Sequence, residues 1–277
     1  MHIIPLPAFR DNYIWLLRAG DRALVVDPGD AGPVLDYLAA EGLRLAAILV
    51  THHHADHVGG LARCAKPVPH RYLAPSTRRS KGSTIRWATA IRVDIAALGL
   101  NFEVLEVPGH TAGHVAYFGR SSSQPILFCG DTLFSAGCGR LFEGTPAQLA
   151  RSLSRLAALP DDTAVYCTHE YTLSNLAFAR AAEPHNPERD AYAEQCAALR
   201  DAGRPTLPSS IGREKAINPS CAATSPASSK PSPAIPASDP LTRCRVWPRC
   251  ASGRTCSDAP RVQRLNARAM VSTTARH

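Results

Sequence analysis

One polar run constrains this chain more than any other feature. The run is Thr51-His52-His53-His54-Ala55-Asp56-His57. It follows an apolar stretch from Leu45 to Val50, which predicts a buried strand. Side chains alternate along an extended segment, so His52 and His54 should point to the same side. Asp56 and His57 come next, at a turn, and can reach a neighbouring position. The run therefore predicts one loop that supplies ligands to two metal ions.

Three more candidate ligands each follow a predicted strand. These are His110 after Phe102 to Val107, Asp131 after Ile126 to Cys129, and His169 after Ala164 to Cys167. Imidazole and carboxylate donors without a nearby thiolate are typical of catalytic zinc sites. A carboxylate has two oxygens, so Asp131 could bridge two ions. His53 should point away from the ions, and His114 is expected to support the site by packing or hydrogen bonding.

Helical patterns alternate with these strands, which predicts an α/β fold. A further strand is expected at Ala23 to Val26. Thr145-Pro146 provides a cap and a first-turn proline for one of the helices. The predicted helices are Ala31 to Glu41, Pro146 to Leu159, Leu173 to Ala182 and Pro187 to Ala202.

The net charge of +8 is concentrated in two segments. Residues 66–92 contain seven basic and no acidic residues, and residues 220–277 contain nine basic and two acidic residues. Each segment contributes +7, so the rest of the chain carries −6 against the total of +8. The positive net charge is therefore no argument that nucleic acid binds at the chemical site. No specific nucleic acid partner is predicted.

Composition and the N-terminus predict a cytoplasmic protein without a membrane span. No stretch approaches the ~20 consecutive apolar residues that a membrane helix requires. The first residues lack the basic and long apolar regions of a signal peptide. The nine cysteines are an odd number, which favours reduced thiols over a disulfide framework.

Two segments lack any apolar period. Residues 65–92 are rich in Ser, Arg and Pro, and residues 220–277 are rich in Ser, Ala, Pro and Arg. The second segment is predicted to be disordered, because it cannot bury enough apolar surface to offset its chain entropy. Both have the composition of GC-rich coding sequence read out of frame. Frameshifts are therefore a hypothesis, which resequencing the gene would test.

The ligand pattern resembles that of the metallo-β-lactamase superfamily, with Asp27 in Val25-Val26-Asp27-Pro28-Gly29 as its first acidic element. Within that superfamily the chain is most similar to glyoxalase II. This narrower resemblance rests on three segments: Phe9-Arg10-Asp11-Asn12-Tyr13, Gly137 to Pro146, and Thr168 to Leu176. It implies an αββα sandwich over residues 1–170, with residues 65–92 atypical. This sandwich would be followed by a truncated C-terminal helical segment over 171–219 and by the disordered tail over 220–277.

The resemblance also implies the chemistry. One ion would bind His52, His54 and His110, and the other Asp56, His57 and His169, with Asp131 between them. The ions would be zinc, with iron or manganese as alternatives, and would share a hydroxide held beside Asp56 and Asp131. A monomer would hydrolyse S-D-lactoylglutathione and related thioesters to a 2-hydroxy acid and glutathione, the second step of methylglyoxal detoxification.

Substrate recognition is implied less completely. Arg140 and Tyr171 correspond to a basic and an aromatic residue that bind glutathione in the family. Phe142 stands where some relatives have a tyrosine, so one hydrogen bond to the peptide would be missing. After Pro219 the basic residues that contact the glutathione carboxylates are absent from the pattern.

Two alternatives remain open at the level of sequence. The first is an iron-dependent persulfide dioxygenase, which shares a Gly-Cys-Gly-Arg element with Gly137 to Arg140 but is expected to use one iron. The second is a catalytically impaired product whose basic segments bind polyanions. Lactonase, β-lactamase and nuclease activities are minor options, because the segment from Gly137 to Pro146 resembles the thioesterases.

Overall fold

A computed structural model of the chain describes residues 1–65, 72–74, 86–87, 92–121 and 124–222. The strands are β1 His2–Ala8, β2 Asn12–Ala19, β3 Arg22–Val26, β4 Arg44–Leu49, β5 Tyr72–Ala74, β6 Arg86–Trp87, β7 Arg92–Ile95, β8 Leu100–Glu106, β9 Val115–Arg120, β10 Pro125–Gly130, β11 Leu133–Phe134, β12 Gly137–Cys138, β13 Ala164–Cys167 and β14 Ser209–Ser210. The helices are α1 Ala31–Ala40, α2 Ala55–Val58, α3 Leu61–Cys64, α4 Pro146–Ala157, α5 Thr172–Ala182, α6 Pro187–Asp201, α7 Ile211–Ile217 and α8 Pro219–Ala222. In this part of the chain no helix has the length and apolar character to cross a bilayer.

Two six-stranded sheets form the centre of the fold. The first sheet has the order β1-β2-β3-β4-β5-β6, and the second has the order β14-β13-β10-β9-β8-β7. In the first sheet the β1–β2 and β2–β3 pairs are antiparallel, while the β3–β4, β4–β5 and β5–β6 pairs are parallel. In the second sheet only the β10–β13 pair is parallel. A short β11–β12 hairpin stands apart from both.

Strand β2 explains how the layers stack, because it is buried on both faces. Trp15 and Leu17 lie in the core between the sheets, together with residues of β8 and β10. Ile14 and Leu16, which point the other way, pack with helix α1. Helix α4 contributes its apolar stripe to the cluster of the second sheet. The result is the helix–sheet–sheet–helix order that the family resemblance implied.

Most predicted elements are present with shifts of one or two residues. The strand at 164–167 has its predicted bounds, and the helices at 31 and 146 begin where predicted. Thr145 caps α4 in a capping box with Gln148. The first two strands, which no pattern predicted, form an antiparallel pair.

The predicted disorder from Ser220 onwards is wrong for its first residues. Ser220 to Ala222 belong to helix α8, and Cys221 is buried against the main core. Cys221 has a small apolar side chain, so it can be buried although the residues after it have the composition of a disordered segment. Residues 223–277 lie outside the described residues, as does most of the atypical segment at 65–92.

Helix α7 fastens the β11–β12 hairpin. Buried Glu214 accepts hydrogen bonds from the Ala136 backbone N–H at 2.8 Å, from Asn218 Nδ2 at 2.9 Å and from Ser209 Oγ. Asn218 Nδ2 also donates to the carbonyls of Phe134 and Gly137. Ala136 has a φ of 57°, an unfavourable conformation for a residue with a side chain. The side chains of α7 and of the residue after it thus hold a strained turn in place.

Candidate metal centre

Three histidine nitrogens converge near the C-terminal end of strand β4. His52 and His54 lie in the loop after β4, and His110 lies in the loop between β8 and β9. Nδ1 of His54 is 3.0 Å from Nε2 of His52 and 3.0 Å from Nε2 of His110. Ligands at about 2.0–2.1 Å from one zinc ion lie at a similar spacing from each other. We call these three residues the first ligand group.

A second ligand group consists of Asp56, His57 and His169, whose donor atoms all lie within 4.8 Å of one another. Asp56 and His57 are in the short helix α2, and His169 follows β13. Oδ2 of Asp56 is 3.6 Å from Nε2 of His57 and 3.5 Å from Nε2 of His169. The run from Thr51 to His57 therefore contributes residues to both groups.

Asp131 lies between the two groups. Its Oδ1 is 3.4 Å from Nε2 of His57, and its Oδ2 is 3.4 Å from Nε2 of His110 and 3.3 Å from Nε2 of His169. The carboxylate therefore contacts ligands of both groups, as a bridging group would.

Two buried polar atoms at the centre make no hydrogen bond with the described residues. They are Nε2 of His57 and Oδ1 of Asp131. Buried polar groups are almost always paired, so each needs a partner that the described side chains do not supply. A divalent ion meets this need, and nitrogen and oxygen donors are the ligands that zinc, iron and manganese accept. The fold and the His/Asp cluster fit two metal ions.

Glycines let the backbone approach this centre closely. A Cβ at Gly139 would lie 1.8 Å from the carbonyl oxygen of Asp131, and one at Gly29 would lie 1.7 Å from that of Asp56. Any side chain at these positions would displace the backbone of Asp131 or Asp56. The glycines are therefore part of the way the sequence places Asp56 and Asp131.

A second set of residues orients the histidine rings. His110 Nδ1 donates to the Arg140 carbonyl at 2.7 Å. His169 Nδ1 lies 2.9 Å from Oδ1 of Asp11, and His57 Nδ1 lies 3.0 Å from Oδ2 of Asp27. Such outer contacts fix which ring nitrogen faces the centre.

The two groups differ in their electrostatics. Burial lowers the pKa of His52, His54 and His110, and nearby histidines lower it further, so the rings of the first group are neutral. Burial has the same effect on His57 and His169, but neighbouring carboxylates outweigh it. Asp131 and Asp27 raise the pKa of His57 to about 10, and Asp131 and Asp11 raise that of His169 to about 12.

His114 and His53 stand outside both groups. Buried His114 accepts a hydrogen bond from the Asp131 backbone N–H through Nε2 at 3.1 Å, and its ring stacks on His52. Burial lowers its pKa to about 3, so it stays neutral. His53 is exposed and lies 3.3 Å from Oε1 of Glu143. Both positions agree with the predictions of a supporting and an outward-facing histidine.

The residues expected to bind substrate flank the centre on two sides. The guanidinium of Arg140 lies 5.0 Å from the ring centre of Phe142, and that exposed ring meets His54 and His110 edge-on. Tyr171 stacks on His169, with ring centres 4.7 Å apart. The structure thus brings all three beside the ligand groups.

Sequence reasoning assigned no role to two residues at the site. Asp11 contacts His169, and Asn12 Nδ2 donates to Oδ2 of Asp56 at 3.1 Å. The polar run Arg10-Asp11-Asn12 between two apolar stretches was the available signal, but no spacing rule links it to the ligands.

Comparison with known proteins agrees with this geometry. The family model of the metallo-β-lactamase superfamily matches residues 8–169, and that of the hydroxyacylglutathione hydrolase C-terminus matches residues 170–231. The second match extends past Pro219, where the resemblance was expected to end.

Similar proteins of known name or structure point the same way. A hydroxyacylglutathione hydrolase of Chromohalobacter salexigens is 56% identical over 219 residues, which cover 78% of this chain and 85% of that protein. One from Albidiferax ferrireducens is 56% identical over 220 residues, 79% of this chain and 86% of that protein.

Solved structures share the fold. ETHE1 from Myxococcus xanthus has a TM-score of 0.57 at 27% identity, covering 79% of this chain and 84% of that one. The BLEG-1 B3 metallo-β-lactamase, at 23% identity and a TM-score of 0.56, covers 79% of this chain and 98% of that one. With both family models matched and relatives above half identity, the chain belongs to the hydroxyacylglutathione hydrolase family of the metallo-β-lactamase superfamily.

Proposed function

We propose that this chain hydrolyses S-D-lactoylglutathione and related glutathione thioesters to a 2-hydroxy acid and glutathione. The observation that carries the proposal is the pair of ligand groups with Asp131 between them. Relatives at 56% identity that are named hydroxyacylglutathione hydrolase support the choice of substrate class.

Each ligand group is assigned one ion. His52, His54 and His110 would hold one, and Asp56, His57 and His169 the other, with Asp131 shared by both. Zinc is the proposed metal, with iron or manganese as alternatives for the same donors. When bound, two such ions lower the pKa of water and polarise a carbonyl oxygen.

The carboxylates of the chain prepare the attacking water. Burial would raise the pKa of Asp56 and Asp131, but the neighbouring His57 and His169 outweigh burial and hold the pKa of both carboxyl groups below its usual value. Both groups are therefore ionised at neutral pH, and their oxygens can accept a hydrogen bond from the water that attacks the thioester. A leaving thiolate with a pKa of about 8.5 needs no dedicated acid.

Arg140, Phe142 and Tyr171 are proposed to hold the glutathione portion. Arg140 would pair with a carboxylate, Phe142 would pack against the peptide, and the Tyr171 hydroxyl would hydrogen-bond to it. Their positions beside His54, His110 and His169 would direct the thioester carbonyl towards Asp131.

Replacing Arg140 with alanine is expected to raise KM about tenfold or more with little change in kcat, since a hydrogen bond to a charged group contributes about 1.5–3 kcal/mol. The backbone carbonyl that accepts from His110 is retained in this variant. Steady-state kinetics would measure the effect. The matched variant Phe142→Tyr adds a hydroxyl and should lower KM; an unchanged KM in Arg140→Ala contradicts the proposed role.

Metal analysis combined with a thioester hydrolysis assay on the purified chain tests the function itself. We expect two divalent ions per chain, hydrolysis of S-D-lactoylglutathione, and loss of that activity on chelation with recovery on metal addition. One iron per chain with sulfite production from a glutathione persulfide would instead support the dioxygenase. A metal-free, inactive protein would indicate an impaired product.

Three further expectations stay predictions. They are the monomeric state, the absence of a specific nucleic acid partner and the cytoplasmic location. Sedimentation of the purified chain would check the first.

A further inference from the structure

The two ligand groups differ in the residues that lie behind their histidine rings. In the first group, His110 Nδ1 faces the neutral Arg140 carbonyl, and His52 Nδ1 lies 3.1 Å from the hydroxyl of Thr51. In the second group, both histidines face carboxylates: Asp27 lies behind His57 and Asp11 behind His169. Among the described residues, a carboxylate therefore lies directly behind the histidine rings in the second group only.

Asp11 is held in place by the backbone around it. Its carbonyl accepts from the Glu170 N–H at 2.8 Å, and the Tyr13 N–H donates to the Thr168 carbonyl at 2.7 Å. These two bonds fasten the turn between β1 and β2 to the residues on either side of His169. The same turn carries the side chain of Asp11, whose Oδ1 lies 2.9 Å from Nδ1 of His169.

The next residue contacts the same ligand group. Asn12 Nδ2 donates to Oδ2 of Asp56, while Asn12 forms an isolated backbone bridge with His169. Asp11 thus contacts one member of the second group, and Asn12 contacts two. In the described part of the chain, neither residue makes a hydrogen bond or ion pair with His52, His54 or His110.

We propose that Asp11 is a positioning residue for one metal position only: through His169 it strengthens binding of the ion held by the second ligand group and leaves the first unaffected. The inference rests on the proposed assignment of one ion to each group. A carboxylate behind a ligating imidazole fixes the ring with Nε2 towards the ion and increases its basicity. Asn12 acts in the same direction, because it orients the Asp56 carboxylate.

The test is a titration of the chelator-treated full chain with zinc at buffered free concentrations, counting bound zinc per chain. The wild-type chain should bind two equivalents. In Asp11→Asn the first equivalent should bind as in the wild type, while the second should bind about 10- to 100-fold more weakly. The control Asp161→Asn removes an exposed carboxylate that pairs with Lys215, and both of its equivalents should match the wild type.

Repeating the Asp11→Asn substitution in two other variants shows at which metal position zinc binding is weakened. In a His54→Ala chain, where the remaining equivalent should occupy the second group, adding Asp11→Asn should weaken that equivalent by the same factor. In a His169→Ala chain, adding Asp11→Asn should change nothing, because Asp11 acts through His169. Thermal unfolding of each metal-free variant checks that the fold is retained.

The outcomes separate the inference from the function. Equal weakening of both equivalents in Asp11→Asn, or no weakening of either, overturns the inference and leaves the binuclear site standing. A wild-type chain that binds fewer than two equivalents overturns the assignment of two ions and the inference with it.

Discussion

Replacing Asp131 with asparagine is expected to lower kcat/KM by more than about a hundredfold, because losing even a residue that supports a ligand costs about 10- to 100-fold. The carboxylate reaches His57 with one oxygen and His110 and His169 with the other. An amide offers a single oxygen, and its NH₂ group would face a histidine nitrogen. The asparagine can therefore keep the contact to His57 or the contacts to His110 and His169, but it cannot keep both.

Bound metal per chain and thioester turnover would be measured together. We expect fewer than two ions per chain and a matching loss of kcat. Asp161→Asn, which lies outside both ligand groups, is the control for the loss of one negative charge. Two tightly bound ions with normal turnover in Asp131→Asn would contradict the shared role of this carboxylate.

Replacing Glu214 with alanine is expected to lower the free energy of unfolding by about 3 kcal/mol, since each buried group left without a partner costs about 1–3 kcal/mol. The Ala136 N–H, the Asn218 amide and the Ser209 hydroxyl would all lose an acceptor. The turn at Ala136, with its positive φ, would also lose one of the hydrogen bonds that hold it. Denaturant unfolding monitored by circular dichroism measures the change.

Glu214→Gln is the matched control. Its amide oxygen can accept from the Ala136 N–H and from Asn218, while its NH₂ group can donate to the Ser209 hydroxyl. Burial raises the pKa of Glu214, so a neutral replacement carries no added desolvation cost. We expect a loss below about 1 kcal/mol for this variant. Equal destabilisation by alanine and glutamine would show that the hydrogen bonds at this position are not what stabilises the turn.

The candidate ligands could be recognised in the sequence because each lies where an apolar stretch ends. The stretches before His110, Asp131 and His169 are strands of the second sheet, and that before His52 is β4 of the first. Buried strands produce such stretches, and the polar residue after each becomes a candidate. The physical pattern is local, so the sequence alone displays it.

Asp11 and Asn12 were not predictable as site residues, because their contacts join distant parts of the chain. Asp11 is 158 residues from His169, and Asn12 is 44 residues from Asp56. The strand that follows them was also missed. Strand β2 is buried on both faces, so it lacks the alternation of apolar and polar residues that identifies a strand with one wet face.

The origin of the ligands in both sheets has a consequence for how the protein responds to metal supply. His52, His54, Asp56 and His57 follow a strand of the first sheet, while His110, Asp131 and His169 follow strands of the second. The site is complete only when the two sheets are packed together, so an unfolded chain binds ions poorly. An ion at a hundred times its dissociation constant then adds about 2.7 kcal/mol to the folded state. Metal supply would therefore set how much folded protein a cell retains, in addition to how fast each molecule works.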